Sequence, residues 1–161
     1  MKKNLKKYTL LILSFSILFN LHVLANSTLT SKQESEINAY TTELDLIQKN
    51  IYTLAQTTVF SNTNDLSIFQ NTLSRLEKSL DIISDNISSS LDNLTHDTVF
   101  YRDLLLLTNA VNYIKASLYE LNLITTQSSS SEKLTTLQRF FNFRVYANNS
   151  LRFLNSLQSD K

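Results

Sequence analysis

Histidine, cysteine and closely spaced carboxylates are the side chains from which a chain of 161 residues would build a catalytic or metal site, and this one supplies few. Cys is absent, and the two His are His22 and His96. Metal centres inside helical bundles set a Glu and a Glu-x-x-His pair on facing helices. No ligand follows His96 at three or four residues, so it reads as a solvated residue of a connection. As the sole imidazole outside the N-terminal segment, it has no Gly-containing turn to present a nucleophilic Ser to it. The carboxylate pairs Glu34 with Glu36 and Asp81 with Asp85 fall outside the apolar seams described below, as solvated faces do. The expectation is a non-enzyme with no metal and no cofactor.

A different chemistry is concentrated near the C-terminus. Arg139, Phe140, Phe141, Phe143, Arg144, Tyr146, Arg152 and Phe153 interleave cations with aromatic rings, a combination suited to an acidic partner or anionic surface. From residue 26 to 131 there are 12 acids against 6 bases, whereas residues 132–161 hold 5 bases and 2 acids. Arg139, Phe141, Phe143, Arg144, Tyr146 and Arg152 are the candidate partner-binding residues. In the competing account, the aromatics complete a core and the arginines pair with acids such as Glu43 or Asp103. Arg144 and Asn148 sit at or beside core positions, where polar groups also fix helix register.

Four apolar ladders position these residues. Ile37, Tyr40, Leu44, Ile47, Ile51 and Leu54 step by three and four. Leu66, Phe69, Leu73, Leu76, Leu80, Ile83 and Ile87 repeat the pattern, followed by Phe100, Leu104, Leu107, Val111, Ile114, Leu118 and Leu121. Leu137, Phe140, Arg144, Ala147, Leu151 and Leu154 make the fourth, irregular ladder. This spacing is a heptad seam and specifies helices, since strands alternate with period two. Polar clusters predict turns near 61–65, 88–96 and 128–133, with Ser129 and Glu132 placed for a capping box. Similar lengths and short connections predict an all-α, antiparallel up-down-up-down four-helix bundle. The absence of Gly and Pro also counts against tight hairpins and Gly-rich phosphate loops. Apolar residues beyond the seams, such as Leu46, Tyr52, Ile68, Ile82, Leu105, Leu106, Tyr119 and Leu123, widen the stripes.

Residues 1–25 have the pattern of an export signal. Lys2, Lys3, Lys6 and Lys7 precede an apolar run from Tyr8 to Val23, and Val23-Leu24-Ala25 suits a signal peptidase. The run is interrupted by Ser14, Ser16, Asn20 and His22 and falls short of the roughly 20 residues of a spanning helix. Cleavage after Ala25 is therefore expected, giving a soluble bundle domain at 26–161 in the periplasm or outside the cell. The alternative is an uncleaved anchor. Matches to the N-glycosylation pattern at Asn26, Asn86, Asn93 and Asn148 receive no function, because the leader has a bacterial character.

Leu29-Thr30-Ser31-Lys32-Gln33 and Leu134-Thr135-Thr136-Leu137-Gln138 both spell L-T-x-x-Q. Two such pentapeptides in a small, exported, helical chain resemble the Spy family of periplasmic stress chaperones. The resemblance covers ten residues and implies binding of unfolded or envelope-stress clients on a helical cradle. The chain lacks the Met, Pro and dense charge of that family, and its pentapeptides lie farther apart. A staple with a capping box also explains the pattern.

The leading expectation is an exported, non-catalytic module that binds another protein or an envelope component through helix faces, with no nucleic-acid partner. Alternatives are chaperone-like client binding and carriage of an apolar ligand between helices, with Phe140, Phe141 and Phe143 lining the cavity. Contact with a membrane through the basic fourth helix, and an oligomer formed through its aromatic face, are secondary expectations.

Overall fold

The computed structural model describes residues 29–60, 66–96 and 98–159, without the side chains of residues 59, 60 and 159. The expected signal segment with its cleavage point, and the expected turn at 61–65, lie outside the described residues. Four helices account for the fold: α1 (Ser31–Phe60), α2 (Leu66–Leu91), α3 (Val99–Thr126) and α4 (Ser130–Ser159). No strand occurs among the described residues. The chain is an all-α four-helix bundle.

Local chemistry sets the helix ends. At α1, Gln33 N donates to Thr30 Oγ1 at 3.3 Å and Thr30 N donates to Gln33 Oε1 at 2.9 Å, while Leu29 packs on the core. The first L-T-x-x-Q pentapeptide is thus a staple plus a reciprocal capping box. The second lies inside α4, where Thr135 donates to the Ser131 carbonyl and Gln138 is exposed. Thr98 caps α3 by accepting from Tyr101 N at 3.1 Å. At α4, Lys133 N donates to the Ser129 carbonyl, while Ser129 Oγ is 3.5 Å from Glu132 N, a long half of the expected box.

Two boundaries differ from the expected turns. Ser88, Ser89 and Ser90 are helical because α2 continues to Leu91, whose side chain packs against the core. Ser90 Oγ also donates to Glu36 Oε1 at 3.1 Å, an inter-helix bond that rewards the extra turn. At the last break, Ser130 and Ser131 already belong to α4, which leaves only Gln127 to Ser129 between α3 and α4.

Contacts running in opposite numerical directions give the helix directions. Gln70 meets Asn122 and Asp81 meets Lys115 between α2 and α3. Between α3 and α4, Glu120 meets Arg139 while Tyr113 meets Tyr146. The start of α1 reaches the end of α2 through Glu36 and Ser90. Consecutive helices therefore run antiparallel.

The seams form one core. Ile37, Leu44, Ile51, Leu80, Leu104, Leu107, Ile114, Leu118, Leu121, Phe140 and Leu154 are fully buried or nearly so. Leu66 is the exception in the second ladder, standing exposed at the start of α2. The central helix is α3, which packs on all three others. Its second ladder, Ala110, Tyr113, Ser117, Glu120, Ile124 and Gln127, turns toward α4, as the Tyr113 and Glu120 contacts show. Small buried residues at Ala110, Ser117 and Ala147 let this pair approach most closely. α4 rests mainly on α3, and its opposite flank faces α1 across a looser seam.

Candidate functional site

The six candidate residues of α4 do not share one face. At 100° per residue, Arg139, Phe143 and Tyr146 lie on the α3 side, Arg144 on the α1 side, and Phe141 and Arg152 on the outer side. Two of these environments are structurally distinct.

Toward α3 the charges are closed into a pair, although Glu120 Oε2 and Gln127 Oε1 are buried without a hydrogen-bond partner. Arg139 Nε is 2.9 Å from Glu120 Oε1, with the Glu120 side chain only 9% exposed. Arg139 Nη2 and Gln127 Nε2 both donate to Thr136 Oγ1, at 3.1 and 2.9 Å. A hollow of about 230 Å³ at this corner is lined by Gln127, Ser131, Glu132, Thr135, Thr136 and Arg139. Farther along, Tyr113 stacks with Phe143 at 6.5 Å between ring centroids and tilts against Tyr146 at 5.4 Å. Arg139, Phe143 and Tyr146 therefore help to join α3 to α4.

Toward α1 the arrangement is open. Gln48 Nε2, on a nearly buried residue of α1, donates to Asn148 Oδ1. Arg144 Nη2 donates to the Gln48 backbone carbonyl at 3.3 Å, and its guanidinium lies 4.9 Å from the Tyr52 ring and 5.7 Å from the Phe140 ring. Both distances are in the cation–π range. No carboxylate pairs with Arg144 among the described residues. Its buried Nε and the buried Gln48 Oε1 have no hydrogen-bond partner there. Burial pushes the Arg144 pKa down, with Tyr52 opposing the shift. An arginine remains charged regardless, so α4 holds a partly desolvated cation without a counter-charge. Beside it, a hollow of about 390 Å³ is lined by Asp45, Val145, Asn148, Asn149, Leu151, Arg152 and Asn155.

The outer side carries a second heptad row, Leu134, Gln138, Phe141, Val145, Asn148 and Arg152, and every member is exposed. Leu134 retains 66% of its accessible surface and Val145 52%, although the inner seam of the same helix is complete. Phe141 touches the core only by its edge, 5.0 Å from the fully buried Phe140. Of the other extra apolar residues, Leu106 is buried, whereas Leu46, Ile68, Ile82 and Tyr119 are exposed one or two to a helix.

The groups that would serve catalysis are placed elsewhere. His96 is exposed in the α2–α3 connection, edge-on to Tyr101 at 4.8 Å. Glu36 accepts from Tyr40 and Ser90, and Asp81 pairs with Lys115 at 2.7 Å. No group of three or more His, Cys, Asp or Glu able to hold a metal ion occurs among the described residues. No helix there is long and apolar enough to cross a membrane.

No family model, curated protein or solved structure matches the chain.

Several polar residues that shape the site were not among the sequence candidates. Glu120, Gln127 and Thr136 belong to the 3–4 ladders that close α3 onto α4, and tracing a second ladder on α3 would have found the first two. Gln48 stands next to Ile47 of the α1 seam, and only the angular position of Arg144 marks it as a partner. The alternative acid partners also need correction. Asp103 is buried and held by its neighbour Arg102 at 2.6 Å, and Glu43 is exposed. Glu120 is the acid that pairs with Arg139.

Proposed function

We propose that this chain is an exported, non-catalytic binding module that holds another protein against the outer and α1-facing sides of α4. The observation that carries the reading is the exposed heptad row from Leu134 to Arg152, backed by the uncompensated cation of Arg144. A surface helix needs one apolar stripe to join its core. α4 has that stripe in Phe140, Ala147, Leu151 and Leu154, and then holds Leu134, Phe141 and Val145 of the outer row in water. Contiguous exposed apolar rows flanked by polar residues are a property of interaction surfaces. The leader-like residues 1–25 support export.

The other readings find less support. Carriage of an apolar ligand needs an empty interior, whereas the seams are filled and both hollows are lined largely by polar side chains. Client binding of the chaperone type would spread across several helix faces, whereas the exposed apolar residues Leu134, Phe141 and Val145 fall in one row of α4.

Site-specific photo-crosslinking in the cells that make the protein tests the proposal. A photo-activatable residue at Val145 is compared with one at Ile82 of α2, since both native side chains are 52% exposed. A discrete protein adduct from position 145 and none from position 82 is the expected result. Equal adducts from both positions would reduce the α4 assignment to general surface stickiness.

A further inference from the structure

Resting on that reading, we infer that the occupant of α4 is an acidic amphipathic helix, its apolar seam laid on Leu134, Phe141 and Val145 and its carboxylates on Arg144 and Arg152. The shape of the row argues for a helix. Leu134, Gln138, Phe141, Val145, Asn148 and Arg152 step by four and three, a row one side chain wide. From Leu134 to Arg152 the 18 steps cover about 27 Å, or five turns, at 1.5 Å per residue. Knobs of a second helix fit such a row, with its seam beside the α4 seam. A lipid surface would need a broad apolar face, but polar Gln138 and Asn148 interrupt this row and Asn149 flanks it.

The charges set the sign of the partner. Arg102, Lys115 and Arg139 are consumed by Asp103, Asp81 and Glu120. Arg144 and Arg152 have no carboxylate partner among the described residues, and both border the Asn148 position where α4 meets α1. Arg144 Nη2 is engaged and Nε is buried, which leaves the two Nη1 protons for a ligand. Asn148 accepts from Gln48 through Oδ1, so its amide nitrogen is a further donor. Asp45 is the lone acid in the hollow. The lining of the hollow sets Arg152 against Asp45, and the half-buried Arg144 beside it adds the uncompensated positive charge. An acidic helix with carboxylates two turns apart satisfies both arginines, because they are eight residues apart on α4. A second copy is the wrong occupant. Two α4 helices packed row to row would bring together two helices that each carry Lys133, Arg144 and Arg152 against Glu132 among the described residues, Arg139 being paired with Glu120.

The probe is a synthetic helical peptide of about three heptads, with Leu at the seam positions and Glu at the flanking positions. Its control replaces every Glu by Lys. Fluorescence anisotropy with the purified protein should show the Glu peptide binding at least about tenfold more tightly than the Lys peptide, with affinity falling as salt rises. R144Q combined with R152Q should remove about tenfold of that affinity and most of its salt dependence. F141S should weaken binding comparably at every salt concentration. R152Q alone should melt as the native protein does, and R144Q and F141S, whose side chains also touch Phe140, are compared at a temperature where melting curves show each variant fully folded. Equal binding of the two peptides, or none by either, would overturn the inference. So would stronger binding to vesicles of anionic phospholipid than to the Glu peptide, or a dimer by sedimentation that R152E strengthens. A partner captured at position 145 without any preference for acid would leave the binding module standing and refute its acidic occupant.

Discussion

The two flanks of α4 are built from the same kinds of residue and end in opposite states. On the α3 flank, an arginine meets a buried glutamate, a threonine accepts two donors, and two aromatics stack on Tyr113. On the α1 flank, an arginine meets a backbone carbonyl and two rings, and two buried polar atoms stay unpartnered. The difference comes from how near the backbones approach. Ala110, Ser117 and Ala147 let α3 and α4 close on each other, so Glu120 and Gln127 of α3 reach Arg139 and Thr136 of α4. The α1 seam is wider, and one amide pair is its polar bridge. Charge and aromatic content alone therefore do not mark an interface. Each flank buries two polar atoms without a partner, Glu120 Oε2 and Gln127 Oε1 on one and Gln48 Oε1 and Arg144 Nε on the other, so what separates the flanks is whether the arginine has a carboxylate.

The largest effect should come from the residue both flanks share. Phe140 is fully buried and lies against both Phe141 and the Arg144 guanidinium. Phe140→Ala should cost about 3–5 kcal/mol by urea denaturation, through the lost transfer energy and the cavity left behind. A loss below about 1 kcal/mol would mean that α4 contributes little to the folded core.

Matched substitutions then separate the flanks. Arg139→Met leaves Glu120 buried without its counter-ion, a change that costs about 1–3 kcal/mol after allowance for the partly exposed arginine. Arg144→Met should change stability by less than about 1 kcal/mol, because it orphans no carboxylate and the thioether can pack between Tyr52 and Phe140. Both are measured by chemical denaturation at neutral pH. The reverse order would erase the distinction between a closed and an open flank.

Much of the architecture was legible in the sequence. The first and third ladders became buried seams, with Tyr40 half-buried, and the four helices followed. Pattern reading placed two turns a few residues wrong because serine runs look like breaks. Ser88 to Ser90 stay helical because Leu91 has core to cover and Glu36 offers Ser90 a partner. The candidate set was legible as residue types on one helix but not as a geometry. Arg139 and Arg144 are five residues apart and point about 140° apart, so one lies toward α3 and the other toward α1. The glutamate that neutralises Arg139 is 19 positions earlier on another helix, and only packing selects it.

The smallest expected effect lies at the far end of α1. Burial, followed by the nearby Glu36 carboxylate, raises the Tyr40 pKa above its ordinary 10.0 in the folded protein. Folding thus favours the neutral phenol. Its contribution is complete below pH 10.0 and is lost as pH rises through the higher folded-state value. Tyr40→Phe should flatten the alkaline fall in stability while changing neutral-pH stability by no more than about 1 kcal/mol. Denaturation midpoints followed from neutral to strongly alkaline pH check this. An identical alkaline fall in both proteins would remove Tyr40 as its source.

The central claim is that the outer row of α4 exists for a partner and not for the fold. Phe141→Asp tests it most directly, because it places a charge in the middle of the row and removes only an edge contact with Phe140 of the inner seam. Unfolding free energy and the yield of the photo-adduct from position 145 are measured on the same variant. Stability should fall by no more than about 1 kcal/mol, through the lost edge contact with Phe140, and the adduct should disappear. A large loss of stability with the adduct intact would show that the row serves the fold, and would contradict the account.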